Sequence, residues 1–265
     1  MDKTTHIPEA LISEVFSSVQ GEGPYLGARQ IFLRFYGCHR RCVYCDSPET
    51  VTAWQPAGFR PPSFRVEWTP GHRDFKEMKN PFTLQKTVDL LRDLNERVGP
   101  HHSVALTGGE PLLHAEFLGA LLPEIKALGM KSYLETSGDL YTQLELLLPG
   151  LDIAAMDIKL PSVTKNEAAW GGHQRFLARC VEAGVEVFAK AIVSADTDLS
   201  DLDTACAILR DVAPETLFIL QPMTPFGEAQ NPPRPEQLLD WQARCLAFIP
   251  NVRVIPQTHK FINQL

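Results

Sequence analysis

Three cysteines within eight positions constrain this chain more than any other stretch. They stand in Gly37-Cys38-His39-Arg40-Arg41-Cys42-Val43-Tyr44-Cys45-Asp46-Ser47, spaced C-x3-C-x2-C. The residues just ahead, Arg29 to Tyr36, are apolar and β-rich, so the cysteines sit on a loop delivered by a strand. Thiolates are soft ligands that suit zinc or iron–sulfur iron. A closed zinc site takes four ligands, and so does a fully protein-bound [4Fe–4S] cluster. Three thiolates can hold three corners of such a cluster and leave the fourth iron open to a substrate or cofactor. Two plainer readings compete: zinc completed by His39 or a remote histidine, and disulfide pairing. Neither accounts for the motifs downstream.

The 265 residues are enough to bury one substantial core, and a single α/β-barrel-like domain over 1–265 is the expected use of them. A net charge of -7 gives no general attraction for nucleic acid, whose binders show a basic patch, so a small-molecule substrate is expected. Met1 to Ala10 lacks a signal-peptide pattern, and no apolar run of about 18 residues suggests a membrane span. Cys180, Cys206 and Cys245 lie far apart in helix-like segments and read as buried reduced thiols. This cysteine usage points to a reducing cytoplasm.

Ile12 to Val19 reads as a strand that ends in Gln20-Gly21-Glu22-Gly23-Pro24. Either this is a surface turn, or its glycines bring Gln20 and Glu22 to a ligand whose edges an amide and a carboxylate can read. Arg34 interrupts the next strand. Pointing inward it needs an anion such as a substrate carboxylate; pointing outward it is a solvated edge charge. Its place just before the cysteine loop favours inward. The proline-rich stretch from Ser47 to Pro81 reads as an insertion (roughly 48–81) with a small hairpin at Phe64 to Trp68, expected to cover the cluster. From Leu84 onward, helical spacing and short buried strands alternate, which argues for a parallel sheet with right-handed crossovers. Function in such barrels gathers at the C-terminal ends of strands. Polar groups fall there: the cysteines, Thr107-Gly108-Gly109-Glu110, Glu135-Thr136-Ser137, Asp157, Lys159, Gln221 and His259. Lys190 lies within a strand. Thr107 to Pro111 alone would be a βα turn with a helix-start proline. Asp46-Ser47 either caps the turn after the cysteines or brings the Ser47 hydroxyl to a magnesium ion.

The cysteine spacing, the aromatic Tyr44 before the last cysteine and the Gly-Gly-Glu-Pro resemble the radical S-adenosylmethionine (SAM) enzymes. Val19-Gln20-Gly21-Glu22-Gly23, Arg34, Asp46-Ser47 and Gln257-Thr258-His259-Lys260 narrow this: the whole set resembles the 7-carboxy-7-deazaguanine synthase family, from Gln20 to His259. The resemblance implies a partial (β/α)6 TIM-like barrel of the radical SAM type with an insertion after the cluster loop. It implies a lyase that converts 6-carboxy-5,6,7,8-tetrahydropterin to 7-carboxy-7-deazaguanine with loss of ammonia, on the route to queuosine and other 7-deazapurines. By the same resemblance, Cys38, Cys42 and Cys45 would hold a [4Fe–4S] cluster, and Ser47 would ligate Mg2+ where the family often has threonine. Tyr44, Asp46, Gly108, Gly109, Glu110, Ser137, Asp157 and Lys159 would hold SAM, with Glu110 accepting from its ammonium. Val19, Gln20, Gly21, Glu22, Arg34, Thr107 and His259 would hold the pterin, joined by the chain-end carboxylate at Leu265. An electron donor such as flavodoxin or ferredoxin and a homodimer are implied as well. Two readings from other classes remain open: a glycyl-radical-enzyme activating enzyme, which shares the cysteine spacing and the Gly-Gly-Glu-Pro, and a zinc-binding module without catalysis.

Overall fold

The computed structural model describes residues 8–52, 55–227 and 229–264. The chain opens with β1 (Glu9–Ala10) and β2 (Ile12–Val19), turns, and returns antiparallel along β3 (Arg29–Phe35). After the cysteine loop come β4 (Ser63–Glu67), β5 (Phe75–Lys79) and β6 (Phe82–Thr83). Helix and strand then alternate: α1 (Leu84–Val98), β7 (Ser103–Gly108), α2 (Ala115–Ala127), β8 (Lys131–Thr136), α3 (Tyr141–Leu144), β9 (Ile153–Asp157), α4 (Pro161–Thr164), α5 (Trp170–Glu182), β10 (Glu186–Val193), α6 (Leu199–Val212), β11 (Phe218–Pro222), α7 (Pro235–Leu246) and β12 (Val252–Val254).

Ten strands form one sheet in the order β12-β11-β10-β9-β8-β7-β3-β2-β4-β5. From β3 to β12 every neighbouring pair is parallel, and after β7, which lies beside β3, each strand lies beside its predecessor in the chain. With right-handed crossovers, that order sends the helices to one face and curls the sheet around the other. The result is the expected partial barrel, with β12 as a seventh parallel strand.

The concave face is layered. Alternate residues of a strand share a face. Each of six strands sets an apolar residue deep in the lumen and a polar one two positions later: Phe32 then Arg34, Ala105 then Thr107, Tyr133 then Glu135, Ala155 then Asp157, Phe188 then Lys190, Ile219 then Gln221. The apolar members form one cluster with Phe16, and the Phe16 and Phe32 rings stack 4.9 Å apart. The turn after β2 lies on this floor. A Cβ on Gly23, at φ +70°, would stand 2.7 Å from the Phe188 ring, so only glycine fits.

Two expectations need correction. Most of the 48–81 insertion lies away from the cysteine loop: β4 pairs with β2 and β5 with β4, extending the sheet at its far edge, and the loop is met by Thr50 and Thr52, which accept from the Gly37 and Cys38 N–H groups. Phe64 and Val66 bury their side chains in the main core, which captures the hairpin there. Among the described residues, the insertion lines the lumen at Val51 alone. The helix expected from Asn166 begins at Trp170 instead. Lys165 adopts φ +60° and the Asn166 side chain is drawn to the cysteine loop, which breaks the helical run. Cys180, Cys206 and Cys245 are buried, as expected.

Phe188 supports both the floor and the Gly23 turn. Phe188→Ala should lower stability by about 3–4 kcal/mol, read as a reduced urea midpoint at unchanged slope.

Candidate active site

The cysteine loop is held mainly by backbone. Gly109 donates its N–H to the Phe35 carbonyl at 3.1 Å, and Glu110 donates to the Gly37 carbonyl at 2.7 Å. A Cβ on Gly109 would lie 2.1 Å from the Gly37 oxygen, and one on Gly108 2.3 Å from the Phe35 oxygen. The two glycines are therefore required by close approach of two main chains. Side chains hold the loop from the other side. Arg40 donates to Asp139 at 2.6 Å and His39 meets the same carboxylate at 3.0 Å. Burial pushes the Asp139 carboxyl up, but the hydrogen bond from His39 and the Arg40 charge outweigh it and hold it well below the usual range. Asn166 accepts from the Arg41 N–H at 3.0 Å and donates towards the Cys42 sulfur at 3.7 Å.

Cys38, Cys42 and Cys45 all face one cavity. Burial pushes the Cys38 thiol up to about 11 and raises Cys45 too, so these sulfurs need a cation before they carry charge. Among the described residues, no three His, Cys, Asp or Glu side chains converge on one ion position. His39 is engaged by Asp139 and is not free to complete a zinc site with these thiols. Three thiols on one loop are the number that leaves one corner of a four-iron cluster open.

The same cavity is lined by Val19, Gln20, Gly21, Glu22, Arg34, Tyr44, Asp46, Ser47, Thr107, Gly108, Gly109, Ser137, Asp157, Lys159 and His259. It does not bring in Glu110. That carboxylate is fully buried and accepts four hydrogen bonds, from Leu112 N, Thr136 Oγ1, Ser137 N and Ser137 Oγ, at 3.1, 2.8, 2.8 and 2.6 Å. The expectation that it binds an ammonium is corrected: it ties the end of β7 to the end of β8. Gly109 lines the cavity and its carbonyl takes no hydrogen bond from the described residues, which leaves that oxygen available as an acceptor in place of Glu110. Leu265 lies outside the described residues.

Glu22 is the best-supported charge in the lumen. It forms an ion pair with Lys190 and accepts from Gln257 Nε2 at 2.7 Å. Burial alone would raise its pKa; the Lys190 charge and the hydrogen bonds outweigh burial and bring it to about 2. Gln20 serves it from behind. Its Oε1 accepts the Glu22 N–H at 2.9 Å, and its Nε2 donates to Gln30 and Glu135, both at 2.9 Å. With both amide hydrogens committed, Gln20 orients Glu22 and Glu135 and leaves no free N–H for a ligand. Glu135 also accepts from Thr107 at 2.8 Å. Gly21 has no room for a Cβ, which would meet the His259 ring at 2.0 Å.

Arg34 points inward, as expected. It donates to Ser47 Oγ at 3.0 Å and approaches Glu14 at 3.5 Å, a carboxylate it shares with Arg65 at 2.6 Å. Lys159 donates to Asp157 at 2.8 Å and lies 5.6 Å from the Tyr44 ring centre. Asp46 pairs with Lys260 at 3.2 Å. His173, fully buried on α5, meets the Gly138 carbonyl at Nδ1 and accepts the Lys159 N–H at Nε2, joining the ends of β8 and β9. Two buried acceptors on the cavity wall, Asp157 Oδ1 and Gln221 Oε1, have no partner among the described residues. Buried acceptors are normally satisfied, so both mark places for ligand donors.

A cavity at the C-terminal strand ends, with three loop cysteines and unfilled acceptors, is the architecture of a cluster-dependent enzyme. Residues 33–193 match the model of the Radical SAM superfamily. The chain is 38% identical over 259 residues to the 7-carboxy-7-deazaguanine synthase of Geobacter sulfurreducens, covering 97% of this chain and 99% of that one. It is 32% identical over 266 residues to the enzyme of that name from Thermococcus kodakarensis, covering 96% and 99%. The crystal structure of QueE from Escherichia coli superposes with a TM-score of 0.58 at 20% identity, covering 95% of each chain, and shares the fold. The chain is thus a radical SAM protein, with a [4Fe–4S] cluster and SAM as its cofactors. Within that superfamily it belongs to the 7-carboxy-7-deazaguanine synthase family. No helix of the described residues is long and apolar enough to cross a membrane.

Lys190, Glu135, Gln221 and Gln257 are site residues to which the sequence assigned no role. The first three share the strand face of Phe188, Tyr133 and Ile219 at i+2, a signal present in the pattern. Gln257, in a loop, carries no such signal.

Gly109→Ala drives a methyl group into the Gly37 carbonyl. The variant should reconstitute with little iron and sulfide and lack the visible absorption of the cluster, while Gly171→Ala, at an open helical position, reconstitutes normally.

Proposed function

We propose that this chain converts 6-carboxy-5,6,7,8-tetrahydropterin to 7-carboxy-7-deazaguanine with loss of ammonia, as one domain over residues 1–265. The observation that carries this reading is a single lumen that holds an ionised Glu22, an inward Arg34 and the three cluster cysteines. When bound, the cluster and SAM supply reductive cleavage to a 5′-deoxyadenosyl radical. The protein does the rest. Glu22, kept anionic by Lys190, accepts N–H groups from the amino-pyrimidinone edge of the pterin. Arg34 pairs with the pterin carboxylate through its fork. Thr107, Gly21, Val19 and His259 complete the pterin wall. The Gly109 carbonyl, Asp157 Oδ1, Tyr44, Asp46, Ser137 and Lys159 serve SAM. The apolar floor beneath Lys190 and Asp157 excludes water from the reacting face.

The residues present fit Mg2+ in a limited way. Ser47 offers one oxygen, and Mg2+ takes most of its shell from water and substrate oxygens. The Arg34 guanidinium beside that oxygen opposes a lone cation. Mg2+ at Ser47 therefore depends on the negative charge of the substrate. A reducing cytoplasm, an electron donor of the flavodoxin or ferredoxin type and a homodimer belong to the same proposal. The activating-enzyme alternative is disfavoured by relatives that match end to end under the synthase name, and the zinc module by the absence of a convergent ligand set among the described residues.

The test is an anaerobic assay with reconstituted protein, SAM, Mg2+, reductant and the carboxypterin. A deazaguanine chromophore is expected; cleavage of SAM without it would overturn the substrate assignment. Lys190→Met removes the cation that keeps Glu22 ionised, so burial raises the Glu22 pKa above its ordinary value of about 4.5. The KM for the pterin should then climb as pH falls towards the raised Glu22 pKa, while the native protein, with Glu22 at about 2, shows no rise over the same range. A pH-independent loss would contradict the ionisation role.

A further inference from the structure

The insertion makes one long-range contact that the reaction does not explain. Its hairpin turn, between β4 and β5, touches the last residues of the chain. Arg73 Nη2 donates to the Asn263 carbonyl at 3.3 Å and to Asn263 Oδ1 at 3.2 Å, across 190 positions of sequence. The turn is built to hold that guanidinium. Arg73 sits at φ +55°, unusual for an L-residue with a long side chain, and its N–H donates to Glu67 Oε1 at 2.9 Å. Glu67 is buried, and Asp74 braces the turn through Thr69 N at 2.7 Å and Oγ1 at 2.8 Å.

The segment Arg73 holds is a strap over the lumen. At its start, Gln257 bonds Glu22 and the Thr258 N–H donates to the Gly21 carbonyl at 2.9 Å. His259 lies against Gly21, and Lys260 pairs with Asp46, next to Cys45. At its far end, Ser18 donates to Gln264 at 3.1 Å beside the Asn263 contact. Between these anchors Phe261 and Ile262 are exposed and add little burial of their own.

We propose that the 48–81 insertion is a latch for the C-terminal strap, and that Arg73 is a positioning residue that acts on the substrate through Gln257 and His259. It rests on the pterin reading given above only for the identity of the substrate. Removing the latch loosens the strap, so the pterin binds to a site that must first be ordered. The expected effect is on KM, because the cluster, Arg34 and the SAM groups other than Asp46 are held by other elements.

The test compares Arg73→Ala, Arg73→Lys and, as a control on the same hairpin, Lys76→Ala, which removes a cation 3.1 Å from the Trp68 ring centre. Hydrogen exchange is read first, on protein without substrate. In Arg73→Ala the amides of Thr258, Phe261 and Gln264 should exchange several-fold faster, with those of the β4–β5 ladder unchanged. The KM for the pterin should rise roughly five-fold, the scale of one ordinary exposed hydrogen bond, with kcat, cluster content and substrate-free SAM cleavage unaltered. Arg73→Lys should recover part of both effects. Unchanged exchange in the strap, or an equal effect from Lys76→Ala, overturns the latch. If the native protein turns over no pterin, the exchange result still decides the latch, and only the substrate reading fails.

Discussion

The open end of the barrel depends on how closely two main chains approach where β3 and β7 end. Gly108 and Gly109 run against Phe35 to Cys38 with no room for a side chain, and two N–H groups close the contact. This gives each residue of the Gly-Gly-Glu-Pro a mechanical reason. Gly108 takes φ +127°, Gly109 allows the approach, Glu110 satisfies four donors below, and Pro111 starts the short helical turn that follows. A loop fixed by backbone places its sulfurs with little dependence on side-chain rotamers. A cluster gripped at three corners requires such placement.

The lumen above the apolar floor concentrates charge. Glu22, Glu135 and Asp157 face Lys190, Lys159 and Arg34 inside one cavity. Buried charges are tolerated only when paired and hydrogen-bonded, and most of these are. Lys190 pairs with Glu22 and lies 3.9 Å from Asp157, so one ammonium links two carboxylates from different parts of the chain. The balance is incomplete at two points. Asp157 Oδ1 and Gln221 Oε1 lack donors among the described residues, each at a cost of about 1–3 kcal/mol. Arg34, 3.5 Å from a glutamate that Arg65 holds more closely, retains capacity for an anion. A cavity short of donors on one wall and of an anion on another is complementary to ligands that carry N–H and O–H groups together with a carboxylate.

Much of this was legible before any coordinates. The strand-and-helix alternation gave the parallel sheet, since periods of 2 and 3.6 are local properties. The cysteines stood out by their spacing, Glu22 by its glycine-rich turn, Arg34 by interrupting an apolar strand, and Asp157 and Lys159 by lying at a strand end. Other features depend on distance in space. Glu110 looked like a ligand because spacing reveals position and not where carboxylate oxygens point; they point inward, to Thr136 and Ser137. Gln20 reads as a ligand-binding amide until its partners Gln30 and Glu135 are seen. The Asn166 and Asp139 contacts to the cysteine loop span 124 and 100 positions, and no local pattern announces them. The hairpin at Phe64 could be anticipated from composition, but its pairing with β2 rather than the cluster loop is decided by tertiary burial of Phe64 and Val66.

The sheet remains open, with β12 at one edge and β5 at the other. Strand pairing does not close the lumen; loops do. The segment after β12 bonds to Gly21 and Glu22 after β2, across the gap that a complete barrel would fill with strands. Glu22, Gln257 and His259 therefore stand on the closing loops, while Asp157, Lys159 and Thr107 stand at strand ends. The strand-borne groups inherit the rigidity of a hydrogen-bonded sheet. Loop-borne groups open at lower free energy unless something outside the barrel restrains them. This division leaves Glu22, Gln257 and His259 on the movable side of the lumen, and Arg34, Thr107 and Asp157 on the rigid one. It also gives an edge hairpin, remote from the cluster, a physical route to the substrate.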